Sequence, residues 1–240
     1  MFNIFNLFKN NYGYYLLKNP NIRKLEKKYS QVWTDAKIPE KQWRLVESQL
    51  PGYKKIKHMV VLCDMIKKTK LKHPKILEVC CSSGYLSQVL SNEKVDCIYE
   101  GCDFSPSFIK MAKEKYPKFN FKVSDATALT YNNSYCDILI SGCCLLHIVN
   151  YEKAIAEAVR VSKKYVVFYR TPVLKGHATV FLTKHAYGVK MLEIHFNETE
   201  LVKLFEKYGL KIISQKKLSS FIVPGLSEKV IMKNYLCQKK

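Results

Sequence analysis

Apolar and polar positions change period along this chain. Phe2, Phe5, Phe8, Tyr12 and Tyr15 recur at three- and four-residue steps, the spacing of one helical face. Lysines beside such a stripe would suit a helix lying on a membrane surface, but the expected role is packing against the chain's own domain. Pro39 opens a second helical segment, which Pro51-Gly52 ends. Ile56, Val60, Cys63 and Ile66 form a helical stripe within residues 53–68.

Short apolar runs and amphipathic segments then alternate. Strands are predicted at Lys75–Cys80, Asp96–Cys102, Phe119–Val123, Cys136–Ser141 and Tyr165–Tyr169. Helices are predicted at Gly84–Leu90, from the Ser105-Pro106 cap to Tyr116, and at Tyr151–Ser162. Residues 170–196 break this rhythm with Thr171-Pro172, Gly176 and Gly188, and read as a lid-like insertion or irregular connection. Asn197 with Glu200 resembles a capping box before Leu201–Tyr208, and Gly209 stops that helix. Leu210–Gln215 and Val230–Leu236 close the chain as strands. The alternation implies an α/β fold, with a mostly parallel sheet covered by helices on both faces. The expected division is an N-terminal helical cap at 1–52 and a main domain at 53–240.

Composition narrows the class. The 240 residues are 48% hydrophobic, enough for a sizeable core, so a disordered chain is excluded. No apolar run approaches the roughly 20 residues that span a bilayer, and the N-terminus does not read as a secretory signal. A cytoplasmic protein is expected, with peripheral membrane contact through residues 1–17 as a lesser alternative. The net charge of +20 would suit nucleic acid. Yet only Arg23, Arg44, Arg160 and Arg170 carry the guanidinium fork favoured in phosphate and base recognition, which leaves nucleic acid unfavoured. The nine cysteines show no C-x-x-C spacing, and free thiols are expected. Cys80, Cys102 and Cys143 fall near predicted strand ends, but no histidine spacing accompanies them and no metal site is expected.

In an open parallel sheet, ligands sit beyond the carboxyl ends of the strands. Those ends carry Glu78-Val-Cys-Cys-Ser-Ser-Gly84, Asp103-Phe104, Asp125-Ala126 and Ser141-Gly-Cys-Cys-Leu-Leu-His147. Three acids in this order suit a nucleoside, because a carboxylate can accept both ribose hydroxyls. Asp103 follows the small-residue loop at about the 20-residue distance expected for ribose recognition.

These stretches resemble the motifs of class I S-adenosylmethionine-dependent methyltransferases over roughly residues 55–215. Glu78 to Gly84 is similar to the first motif, an acid and an aliphatic residue before Gly-x-Gly-x-Gly, with Cys80 and Ser82 replacing two glycines. Asp103-Phe-Ser-Pro-Ser107 resembles the second motif, whose acid holds the ribose. Ser124-Asp-Ala126 is similar to the third, which contacts adenine. Asp137–Ser141 through Leu146-His147 and the following helix resemble the fourth. The resemblance implies a Rossmann-like seven-stranded sheet whose last strand is antiparallel, with S-adenosyl-L-methionine as cofactor. It implies cofactor contacts from Glu78, Cys80, Ser82, Gly84, Asp103, Phe104, Asp125, Ala126 and Ser141. His147 is the expected base. Tyr85, Arg170, His177, Tyr187 and His195 are the expected acceptor pocket, Arg170 being suited to a carboxylate or phosphate. The expected reaction is methyl transfer to a small-molecule, sugar or lipid-linked acceptor. The alternatives are an RNA methyltransferase and a non-catalytic nucleoside-binding or interaction protein, with a nicotinamide oxidoreductase more distant.

Overall fold

The computed structural model describes residues 13–240. Phe2, Phe5, Phe8 and Tyr12, most of the expected N-terminal stripe, lie outside the described residues. Tyr15 is not helical: it lies in the two-residue strand β1 (Tyr15–Leu16). Then come α1 (Ile22–Tyr29), capped by the Asn21 side chain, α2 (Ile38–Gln49), and α3 (Lys57–Lys68).

The alternating core comprises β2 (Lys75–Val79), α4 (Leu86–Asn92), β3 (Ile98–Asp103), α5 (Pro106–Lys115), β4 (Asn120–Val123), β5 (Cys136–Ser141), α6 (Tyr151–Val161) and β6 (Ser162–Leu174). After it come β7 (Val180–Ala186), β8 (Val189–Asn197), α7 (Glu198–Lys207), β9 (Leu210–Phe221) and β10 (Val230–Lys239). The expected caps form. Ser105 accepts the Phe108 amide at 3.5 Å, and Asn197 accepts that of Glu200 at 2.9 Å. Gly209, with φ +77°, ends α7.

The central sheet runs β4-β3-β2-β5-β6-β10-β9. β2 to β6 pair in parallel, whereas β10 is antiparallel to both β6 and β9. This is the expected doubly wound α/β sheet, including its antiparallel final strand. Helices α2 to α5 pack on one face with Leu62, Ile76, Leu86 and Phe121 in the core. Helices α6 and α7 cover the other face over Leu77, Leu139, Ile155 and Phe205.

Residues 170–196 are more regular than expected. β6 continues to Leu174, and β7 and β8 form an antiparallel hairpin with Thr183 opposite Leu192. β8 rejoins β6 in parallel at Val173–Phe196, while β1 pairs with the outer edge of β7. That pairing is why Tyr15 leaves the expected helix: an edge strand presents unpaired amides and carbonyls, and extended residues 15–16 satisfy them.

Candidate active site

The first motif is a turn between β2 and α4. The amide of Cys81 bonds Cys102 O at 2.9 Å, and the amide of Gly84 bonds Cys81 O at 2.9 Å. Cys80, Ser82 and Gly84 have φ of +60°, +49° and +75°. All three lie in the left-handed region that glycine enters at least cost. The turn therefore keeps the conformation required by Gly-x-Gly-x-Gly although two glycines are replaced. At Gly84 no replacement would fit easily, because a Cβ there would lie 2.6 Å from Phe121 Cζ.

Asp103 ends β3 directly beside this turn. Its Oδ2 accepts the Ser82 amide at 2.9 Å, and its Oδ1 accepts the Ser105 amide at 2.9 Å. The carboxylate keeps acceptor capacity beyond these amides, and the side chain borders the cleft. Burial raises the carboxyl to about 6, against the lowering effect of the amides of Ser105, Ser82 and Phe104. Glu78, at the end of β2, is almost wholly buried and takes the Tyr99 hydroxyl. Burial pushes it up to about 8, so it is largely protonated at neutral pH.

After β4, Asp125 Oδ1 accepts the Thr127 amide at 2.7 Å and the Thr127 hydroxyl at 2.9 Å, shaping the turn that carries Ala126. Arg160 anchors this segment by donating to the carbonyls of Leu129 and Tyr131, at 2.9 and 2.8 Å. Glu78, Cys80, Ser82, Asp103, Phe104, Asp125 and Ala126 border one end of a cleft of about 1460 Å³. Gly84 holds the turn from behind. Ser141 is buried, with its hydroxyl 3.6 Å from the Cys144 thiol. Ser141 is thus not among the residues that border the cleft, although its partner Cys144 is.

The other end of the cleft is bordered by Tyr85, His147, Arg170 and Tyr187, all expected from the sequence. His147 Nδ1 lies 2.7 Å from the Leu192 carbonyl, which can only accept, so Nδ1 carries the proton and Nε2 is bare. Burial lowers its pKa to about 4. The Trp33 ring lies 4.8 Å from His147 and 6.2 Å from Tyr187.

His177 and His195 are not brought to the cleft. His177 is held by Ser227 Oγ, 2.8 Å from its Nε2. His195 is fully buried within the hairpin, with Nε2 3.3 Å from Glu193. The alternation of β8 turns His195 and Glu193 to one face, and the backbone register rather than residue type decides their placement. Burial alone would raise the Glu193 carboxyl, but Lys184 across the hairpin and His195 hold it well below the usual carboxylate range.

The sequence reading missed His58, Tyr169 and Lys184, which also border the cleft. Tyr169 ends the strand predicted at Tyr165–Tyr169, which in the structure continues to Leu174, so its position carried a usable signal. His58 opens a helix distant in sequence, and nothing in its local pattern points to the site.

The nucleoside end fits the family's cofactor on two observations: the turn has the required left-handed conformation, and Asp103 offers remaining acceptor capacity beside it. The volume exceeds the roughly 300–1,000 Å³ of an ordinary ligand pocket, leaving room for an acceptor beside a cofactor.

Comparison with known proteins agrees. Residues 77–169 match a family model described as a methyltransferase domain. A demethylmenaquinone methyltransferase of Leptospira interrogans is 32% identical over 114 residues, covering 43% of this chain and 44% of that protein. Another from Paenarthrobacter aurescens is 30% identical over 89 residues, covering 37% and 34%. The matched stretch thus spans less than half the length of these curated relatives. Among solved structures, a Burkholderia thailandensis 1,6-didemethyltoxoflavin-N1-methyltransferase superposes with TM-score 0.60 at 13% identity, covering 95% of both chains. An S-adenosylmethionine-dependent methyltransferase of Clostridium acetobutylicum gives TM-score 0.59 at 13% identity, covering 82% of this chain and 98% of that one. Residues 77–169 thus match a methyltransferase domain, and the sheet that carries them has the fold seen in S-adenosylmethionine-dependent methyltransferases.

Proposed function

We propose that this chain transfers a methyl group from S-adenosylmethionine to a small-molecule acceptor. The observation that carries this reading is the turn at residues 80–84, left-handed at all three motif-glycine positions and tied through the Ser82 amide to Asp103. A binding site without that requirement would have no reason to hold a cysteine and a serine in a conformation costing about 1–2 kcal/mol each.

Asp103 would hold the ribose hydroxyls. Ala126 and the Asp125 turn would lie along the adenine, with Phe104 beside them. Cys80, Ser82 and Glu78 would border the amino-acid end. When bound, the cofactor supplies a methyl group on a sulfonium, a leaving group that needs no acid assistance. What the protein must add is proximity, alignment and an acceptor in its reactive ionisation state. The bare Nε2 of His147 can take a hydrogen bond from the acceptor and orient it. With its pKa lowered to about 4, it is a weak general base, so its role is positioning.

A small-molecule acceptor is favoured by the lining of the cleft, which includes Trp33, Tyr85, Tyr169, Tyr187 and Arg170. The curated relatives named above and the toxoflavin enzyme carry names with small-molecule acceptors, which agrees with that lining. No helix among the described residues is long and apolar enough to cross a membrane.

The test is incubation with methyl-labelled S-adenosylmethionine and fractionated small-molecule extract. Label should enter a low-molecular-weight fraction in a manner lost in Asp103→Ala. Label confined to RNA or protein fractions would reject the acceptor class.

A further inference from the structure

Arg170 occupies an unusual backbone position. Between β6 and β10, Thr171 pairs with Lys233 and Phe168 with Tyr235. Two residues of β6, Tyr169 and Arg170, therefore oppose Asn234 alone, which is a β-bulge. Arg170 sits in it with φ +55°, a conformation costly for a non-glycine residue. The fully buried Asn234 pins it there, its Oδ1 accepting the Arg170 amide at 2.8 Å. Bulges re-aim side chains, and this one sends a guanidinium into the cleft.

That guanidinium has no ion-pair partner among the described residues. The titratable groups around it are Tyr85 from the start of α4, Cys143 after β5, His147, Tyr169, Tyr187 in the hairpin turn, and His58 on α3. None is a carboxylate. Glu78 and Glu193, which act on these neighbours, are engaged by Tyr99 and by Lys184 with His195. A half-buried cation without a counter-charge, beside aromatic walls, is built to receive an anion.

We propose that Arg170 is the anion receptor of the acceptor site, and that the acceptor is an aromatic compound whose hydroxyl binds as the oxyanion. The proposal rests on the methyl-transfer reading and names its substrate class. Ionisation is a simple loss of the hydroxyl proton to solvent, with the negative charge left facing Arg170. Neither histidine beside Arg170 competes as a strong base. Burial lowers His58 and His147, the cleft histidines that neighbour Arg170, and raises the hydroxyls of Tyr85 and Tyr169. Those tyrosines stay protonated, bonded to one another and onward to His58, so Tyr85 can serve only as a neutral partner to the bound oxygen. Activation by charge rather than by proton abstraction follows from that inventory.

The probe is 4-nitrophenol, whose ionised form is visible by absorbance. It is titrated with the protein in the presence and absence of S-adenosylhomocysteine. An opposite charge within contact distance lowers an acid by about 1–3 pH units. The bound probe should therefore ionise at least about one unit below the free probe, and Arg170→Gln should abolish that shift. Arg170→Gly is the second variant: glycine accepts the bulge conformation, so it should fold at least as well and also lose the shift. A bound probe that ionises at its solution pKa in the wild type, or a shift that survives in both variants, overturns the proposal. Calorimetry with S-adenosylhomocysteine alone separates this from the cofactor reading. Both variants should bind it as the wild type does, and a protein that ionises the probe without binding it would refute only the cofactor.

Discussion

Replacing Ser82 by glycine tests whether the motif turn is held in the conformation described. Ser82 has φ +49°, and its hydroxyl makes no hydrogen bond among the described residues; its amide, which glycine keeps, bonds Asp103. Releasing an L-residue from the left-handed region recovers about 1–2 kcal/mol. The added freedom of glycine in the unfolded chain returns about 0.5–1 kcal/mol of that. Ser82→Gly should therefore stabilise the protein by about 0.5–1 kcal/mol, raising Tm by roughly 1–4 °C for a chain of this size. Ser82→Val should go the other way by about 1–2 kcal/mol, since branching at Cβ aggravates the same clash. Cys80→Gly is less clean, because the Cys80 thiol also bonds that of Cys144 and its loss offsets the relief. Urea denaturation followed by circular dichroism compares the three. A Ser82→Gly protein less stable than wild type by more than about 1 kcal/mol, or a Val variant equal to the Gly variant, would refute the left-handed assignment.

Three other outcomes are expected. Gly84→Ala combines a φ of +75° with a Cβ placed 2.6 Å from Phe121 Cζ, and should cost about 2–4 kcal/mol in urea melts. Partial rescue by Phe121→Leu would confirm the clash, and a neutral Gly84→Ala would remove it. Glu78 is raised from 4.5 to about 8 by burial, so the folded state binds the extra proton between those values. Stability must then fall as pH rises through that window, by a few kcal/mol at most, and Glu78→Gln should flatten the dependence; identical profiles would exclude Glu78. Asn234→Ala leaves the buried Arg170 amide unpaired and should cost about 1–3 kcal/mol. A thermal melt unchanged by that substitution would show that Asn234 does not pin the bulge.

The sequence and structure agree best where side-chain pattern alone decides backbone pairing. Each core strand from 75 to 169 announced itself as a short apolar run, and Ser105 and Asn197 marked helix starts by their capping chemistry. The strand-end rule places Asp103 and His147 at one cleft, and it marks Arg170 as the residue after the predicted strand Tyr165–Tyr169. Other features depend on tertiary contacts. The β7–β8 hairpin mixes Lys, His and Glu into its strands and turns through Tyr187-Gly188, so its alternation is masked by buried charge. Tyr15 becomes a strand only because β7 offers an edge. His177 and His195 were grouped with the acceptor site by residue type, whereas the hairpin register buries one and the turn at Ser227 holds the other. The bulge that aims Arg170 is a one-residue mismatch between β6 and β10, visible only when both strands are paired.

The most direct measurement is calorimetry of S-adenosylhomocysteine binding to the purified chain at pH 7 and pH 5, repeated with Asp103→Ala. One molecule should bind per chain at pH 7. Asp103 must be ionised to accept the ribose hydroxyls, and its pKa is raised to about 6. Affinity should accordingly drop by about tenfold at pH 5. Asp103→Ala should lose about 10- to 100-fold at pH 7 and show little further change with pH. Absence of binding to the wild type at pH 7, or equal affinity in wild type and Asp103→Ala, would contradict the assignment of the cleft.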